Sequence, residues 1–399
     1  MKWVANHSGG LVALDDAGNV FVTGSSFGGD YVTTKFNSTG LQQWIQYYNG
    51  TGNSTDFPSS IAVDKSGNVY VTGSSSGIEY DYATIKYNTV GDSLWVARFN
   101  GQGVNYSHEE VSSIAVDDSG YVYVTGLSGT PGDFATIKYD SAGDSVWVRK
   151  YNGPGNPTDY AASIAVDEAG NVYVTGYSYG SGTNGEYATI KYNSYGDSVW
   201  VKRYSGPGNS YGFGRALAID DSGNVYVTGY CTGNGTAYDY TTIKYNSTGV
   251  QQWIESYNGP GNSHDYSVSI AADNSGNVYV TGYSYGDGTD YDFATIKYSQ
   301  LTGIAQISSF VPSSFSLEQN YPNLFNPITN LEFGISDLGF VSLKVYDILG
   351  KEVITLVNEK LSPGKYEVEF DGSGLPSGVY FYRLTAGEFT DTKRMMLVK

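Results

Sequence analysis

Three carboxylates fall within six residues at Asp287-Gly288-Thr289-Asp290-Tyr291-Asp292. Hard oxygen ligands of this type suit Ca²⁺. The regular Asp-x-Asp-x-Asp-Gly spacing of a dedicated calcium loop is missing, so solvated acidic loops are the expected reading and no cofactor is expected. Two other segments, Ile78-Glu79-Tyr80-Asp81 and Thr236-Ala237-Tyr238-Asp239, repeat the pairing of tyrosine with aspartate. A tyrosine ring offers a flat amphipathic surface at low entropic cost, and a neighbouring carboxylate accepts hydrogen bonds. Tyr80, Asp81, Tyr238, Asp239, Asp290, Tyr291 and Asp292 are therefore candidates for engaging a glycan or a protein partner.

Other chemistry is sparse. The three histidines, His7, His108 and His264, share no metal-ligand spacing, and no Gly-x-Ser-x-Gly elbow or phosphate loop is present. A carboxylate pair could run glycoside hydrolysis, but 40 acidic residues make chance pairs inevitable. The sequence thus favours a non-catalytic chain, with a surface polysaccharide hydrolase or lyase, or a structural surface-layer component, as alternatives. The formal charge of −18 excludes a nucleic-acid binder, which needs a basic face. Cys231 is the sole cysteine, so no intramolecular disulfide forms. No apolar run is long enough to span a membrane as a helix.

The elements that carry these residues repeat. Asp-x-x-Gly-x-Val-aromatic-Val-Thr-Gly begins at Asp15, Asp64, Asp117, Asp167, Asp220 and Asp273. A Thr-(Thr/Ile)-Lys-(Tyr/Phe) motif follows each, centred on Lys35, Lys86, Lys138, Lys191, Lys244 and Lys297. Trp44, Trp95, Trp147, Trp200 and Trp253 each stand nine residues after the lysine. Each repeat reads as four short strands separated by Gly/Asn/Asp/Ser turns, the description of a propeller blade. The repeated Asp residues read as hairpin punctuation, and the repeated Lys as pairing with a repeat carboxylate or snorkelling at the blade edge.

The sixth repeat stops after its third strand, and Lys2-Trp3-Val4-Ala5 is an orphan fourth strand. The expected fold is all-β: a six-bladed β-propeller over 1–303, closed by the N-terminal strand, which removes exposed sheet edges. Turns between first and second and between third and fourth strands have fixed length. The second-to-third loops vary and, with the Asn-Gly-Pro-Gly-Asn links, occupy the opposite face, which is the expected binding face.

These repeats resemble the SBBP family of bacterial β-propeller repeats, over roughly residues 11–299. That family is commonly seven-bladed, whereas the repeat count here gives six, and it implies no defined activity.

After Gly303 the composition changes. A segment over 304–314 reads as a linker, and 315–399 shows period-two alternation expected of a small Ig-like β-sandwich. Asn320-Tyr321-Pro322-Asn323, Phe325-Asn326-Pro327, Val345-Tyr346-Asp347-Ile348-Leu349-Gly350, Gly378-Val379-Tyr380 and the terminal Lys393–Lys399 resemble the type A C-terminal sorting domain of the type IX secretion system. Leu324 stands where that family has proline. An ordinary adhesion module is the alternative. The resemblance implies a translocon and a sortase-like enzyme as partners, and a chain secreted or anchored at the outer surface. It makes Asn320, Pro322, Asn326, Pro327, Gly350, Gly378, Tyr380, Lys393, Met395 and Lys399 sorting-signal residues. Such cargo also carries an N-terminal export signal; Met1-Lys2-Trp3-Val4 lacks its apolar stretch, so a truncated or misassigned start, or a fragment, is expected.

Overall fold

Runs of Val, Ile, Tyr and Thr bounded by Asp/Asn-Gly turns become antiparallel strands in a computed structural model. The structure describes residues 4, 10–77, 80–101, 109–155, 158–180, 184–233, 237–273, 276–288, 290–298 and 305–399. Among them there are strands and turns but no helix. The chain divides into two compact units after Tyr298.

The first unit holds six successive meander sheets, five of four strands and the last of three (Asp265–Ala272, Val278–Tyr285, Tyr291–Tyr298). The first strand of each sheet packs on the sheet before it, so the first strands are innermost. Each Asp-x-x-Gly turn is held by its own aspartate. Asp220 Oδ1 accepts from the backbone of Ser222 (3.0 Å) and Asn224 (2.9 Å), and Oδ2 from Asn224 Nδ2 and the Tyr226 hydroxyl (both 2.8 Å). Burial works against the charged carboxyl, but these donors outweigh it and hold Asp220 below the usual carboxylate range.

Neighbouring sheets are fastened by the repeated Trp and Lys. Trp147 Nε1 and Lys138 Nζ both donate to the Ser194 carbonyl in the next sheet (3.3 Å each), and Lys138 lies 5.2 Å from the Tyr123 ring centre. Trp44 and Lys35 share Thr89, Trp95 and Lys86 share Ser141, and Trp200 and Lys191 share Ser247 in the same way. The lysine was expected to pair with a repeat carboxylate or to snorkel at the blade edge; the Tyr hydroxyl donates to that carboxylate, and the ammonium reaches over the Tyr ring to a turn carbonyl of the next sheet.

The terminal sheets differ from the rest. Tyr279 is 38 % and Phe293 95 % exposed, whereas their counterparts Tyr226 and Tyr240 are 0 %. Val12 and Leu14 in the first sheet are also exposed, although Ile164 and Leu217, at the position of Val12, are buried. Closure was expected from Lys2-Trp3-Val4-Ala5. Val4 is exposed outside any strand, and the other three lie outside the described residues.

The second unit is a sandwich of two four-stranded sheets. One contains Ala305–Ser308, Gly364–Asp371, Ile328–Ile335 and Ser316–Leu317; the other contains Glu352–Leu361, Gly339–Tyr346, Gly378–Ala386 and Phe389–Leu397. Leu331, Phe333, Val341, Leu343, Val368, Phe370, Tyr382 and Leu384 fill the space between them. Ala305–Ser308 falls inside the segment expected as linker and is an edge strand instead. The Ser/Pro-rich composition begins only at Ser308, and the preceding residues suit a strand.

Candidate functional site

The first strand of each of sheets two to six carries a bulge at one register position. In the fifth sheet Gly214 pairs with Gly229 and Ala216 with Thr228, so Arg215 is left out of the ladder. Ser59, Ser112, Ala162 and Val268 are skipped likewise. A bulge re-aims its extra side chain, and here Ser112, Ala162, Arg215 and Val268 line a common cavity. The bulge also explains the glycine of Val-Thr-Gly. It presses the first strand onto the second, so that a Cβ on Gly229 would sit 1.8 Å from the Phe213 carbonyl oxygen.

That cavity, about 670 Å³, is bounded by the first strands of sheets three to six, Glu109–Val116, Tyr160–Val166, Gly212–Ile219 and Asp265–Ala272. It lies at the ends of these strands where they begin, away from the Asp-x-x-Gly turns and on the side of the variable loops. Its walls are aromatic. Tyr160 stacks on Tyr177 (4.9 Å), which meets Phe213 edge-on (5.0 Å). Phe213 continues to Tyr230 (5.1 Å), Tyr230 to Tyr266 (4.8 Å), and Tyr266 to Tyr283 (5.4 Å). Burial first, then neighbouring phenols, raise the Tyr177 and Tyr266 hydroxyls above the ordinary tyrosine value, with Arg215 opposing at Tyr177. These hydroxyls therefore remain neutral and able to donate at physiological pH. Arg215 donates to the Tyr230 hydroxyl (2.7 Å) and lies 5.3 Å from that ring's centre.

The sequence candidates divide around this cavity. Tyr238 does not line it but packs against its lining residue Tyr230 (5.1 Å), and against His264 (5.3 Å) and Phe213 (5.8 Å). Tyr291 likewise packs against the lining residues Tyr283 (5.5 Å) and Tyr266 (6.1 Å) without lining the cavity itself. Tyr80 packs on Phe57 in the second sheet, and Asp81 is paired with Arg98 at 2.9 Å. Asp290 and Asp292 are exposed, and Asp239 is half-buried on its strand. No group of three metal-ligating side chains exists among the described residues. Ile78, Glu79, Thr236, His7 and His108 have candidates or neighbours of candidates among them, but lie outside the described residues. Sequence reasoning missed Tyr160, Tyr177, Phe213, Arg215, Tyr230, Tyr266 and Tyr283. The signal was available: Phe57, Glu110, Tyr160, Phe213 and Tyr266 each precede the repeat Asp by seven residues.

In the second unit the residues expected to carry the sorting signal take varied structural places. Asn320, 2 % exposed, donates through Nδ2 to the Pro322 carbonyl (3.0 Å) and Thr329 Oγ1 (2.9 Å), and its backbone N–H donates to the Tyr382 hydroxyl (2.7 Å). Pro327 accepts from Gly372, Tyr380 donates to the Pro376 carbonyl, and Gly350 closes a turn on Asp347 at positive φ. Gly378 opens a strand; Met395 is fully buried, and Lys393 faces Asp391 at 3.7 Å. Asn326 is exposed, while Lys399 returns to Ser377 and Ser373.

Radial four-stranded sheets around an aromatic cavity, followed by a two-sheet sandwich, define a β-propeller with an appended module. The repeats match the beta-propeller repeat family SBBP at residues 43–79, 146–182, 199–236 and 257–288. Residues 319–399 match the secretion system C-terminal sorting domain. The chain therefore carries SBBP β-propeller repeats and a type IX C-terminal sorting domain, and the latter points to secretion and the outer surface. No curated protein matches it. Among solved structures it is similar to PorZ, a surface component of the type IX secretion system of Porphyromonas gingivalis. Identity is 15 %, coverage 98 % of this chain and 51 % of that one, and the TM-score 0.43. The chain thus spans about half the length of PorZ. It is also similar to the β-propeller domain of the Trilobed protease from Pyrococcus furiosus, at 7 % identity, covering 82 % of this chain and 92 % of that one with a TM-score of 0.42. A third likeness is the α-L-arabinofuranosidase Arb93A from Fusarium graminearum, at 9 % identity, 72 % and 91 % coverage and a TM-score of 0.43.

Proposed function

We propose that this protein is a surface-displayed binding module that receives a glycan in the aromatic cavity of its propeller. The observation that carries this reading is the five tyrosines that line the cavity, Tyr160, Tyr177, Tyr230, Tyr266 and Tyr283, joined into one ring cluster through Phe213 behind them. Flat rings with neutral hydroxyls stack on the apolar faces of sugars and bond their rims. Among the described residues Glu110 is the single carboxylate of the lining, whereas hydrolysis by paired carboxylates needs two, so the cavity is read as a binding site. The test is a glycan array with the full chain, followed by titration of the best binder against Tyr266→Ala. At least tenfold weaker binding is expected, about 1.4 kcal/mol. Silence across the array sinks the reading.

The ring holding this cavity is read as six blades, closed with residues 2–5 as the missing fourth strand. Support comes from the exposed faces of the first and sixth sheets, whose counterparts elsewhere are the two sides of each buried blade junction. Amide hydrogen exchange checks this. Closure predicts protection of Ala294–Tyr298 equal to that of Thr241–Tyr245, lost in Trp3→Ala; fast exchange in the native chain rejects it.

A further inference from the structure

Of the four arginines in the propeller, three are fully engaged. Arg98 binds Asp81, Tyr48 and both Oγ and the carbonyl of Ser75. Arg203 binds Glu186, Tyr151 and both groups of Ser178. Arg149 binds three carbonyls. Arg215 is different: among the described residues the Tyr230 hydroxyl is its one hydrogen-bond partner. A guanidinium has five N–H donors, so four remain. The bulge turns this side chain out of the ladder into the cavity, at a position where other sheets place Ser, Ala or Val. A chain of charge −18 has carboxylates in excess, yet none among the described residues forms an ion pair with this group.

We propose that Arg215 is the receptor for the carboxylate of an acidic sugar, so that the cavity selects uronate-bearing glycans over neutral ones. This rests on the glycan-binding reading above and deepens it. The planar fork of a guanidinium matches a carboxylate with two parallel N–H···O bonds. Tyr230 fixes the fork from behind, through the hydroxyl bond and the ring, so that little freedom is lost on binding. The tyrosine walls supply faces for the pyranose ring. The number of charges limits the ligand. Arg215 is the one cation in the lining among the described residues and can pair with one carboxylate, while Glu110 leaves the lining with no net positive charge to hold a densely anionic polymer. A sulfated polysaccharide or a nucleic acid is therefore a poor occupant, and a folded protein surface does not enter a 670 Å³ cavity.

The test compares trimers of galacturonate, glucuronate and mannuronate with their methyl esters, which keep ring shape and remove charge. Calorimetric titration of the full chain is expected to give at least one acid bound tenfold or more tighter than its ester, a preference that shrinks as salt rises. Arg215→Gln should abolish the difference, with thermal unfolding at the parent's temperature showing that the variant is folded; Arg215→Lys should restore only part of it. Equal binding of acid and ester, or an undiminished preference in Arg215→Gln, overturns the proposal and leaves the glycan reading standing. Binding of neither acid nor ester also overturns the proposal, and the glycan array then decides the wider reading.

Discussion

Replacing Asp159 by alanine is expected to lower the stability of the propeller by about 3–5 kcal/mol, more than a surface carboxylate such as Asp118 would cost. Asp159 is fully buried, and its two oxygens accept from the backbone of Gly153 (2.6 Å) and Tyr179 (3.0 Å). The first belongs to the link entering the sheet and the second to the end of its second strand. One carboxylate thus ties the blade link to the loop face that bounds the cavity. Asp56 does the same with Gly50 and Ser76, and Asp265 with Gly259 and Tyr285. Alanine leaves two buried N–H donors without their charged acceptor, and hydrogen bonds to a charged group contribute about 1.5–3 kcal/mol each. Asparagine offers one acceptor and turns an N–H₂ toward the other donor, so an intermediate loss is expected. Thermal unfolding of the full chain measures this: a fall in the propeller transition on the order of 10 °C for Asp159→Ala. A shift no larger than that of Asp118→Ala would reject the staple.

The fifth sheet shows why this device was hard to read. Its equivalent position is Gly212, and Cys231 stands where Ser75, Ser128, Ser178 and Ser284 stand in the others. There, Ser210 donates to the Thr232 carbonyl, and the link closes without a carboxylate. A position that reads Asp, Glu, Asp, Gly, Asp across five repeats looks variable, although its place eight residues before the turn aspartate never changes. The repeats, the turns and the strands were legible because their residues are dictated by local backbone geometry, which is the same in every copy. The cavity was not. Arg215 looks like an ordinary outward residue of an alternating strand until the bulge is known, and the bulge depends on how two strands pack over Gly229. One candidate shows the converse difficulty. Asp81 has the composition of a binding residue but is held by Arg98, a partner on a neighbouring strand that spacing alone does not reveal.

Removal of residues 319–399 is expected to reduce surface display in a host with a type IX system to background, with the propeller retained inside the outer membrane. The matched sorting domain coincides with most of the sandwich, whose motif residues hold its two sheets. A finer version separates fold from recognition. Asn320 joins the segment before the first long strand to Thr329 and Tyr382, one partner in each sheet, and it is buried. Asn320→Ala removes the donor to Pro322 and Thr329 and exposes a void, a loss of about 2–4 kcal/mol from the sandwich. Asn326, on the surface of the same motif, contributes no such bond among the described residues, and Asn326→Ala should leave the sandwich's melting unchanged. Fractionation with protease accessibility on intact cells reads display, and thermal melting of the purified chains reads the fold. If Asn320→Ala lowers both together while Asn326→Ala lowers display alone, the translocon reads the surface of a folded sandwich. Full display of an Asn320→Ala chain whose sandwich has melted would show instead that the signal is read as an unfolded segment.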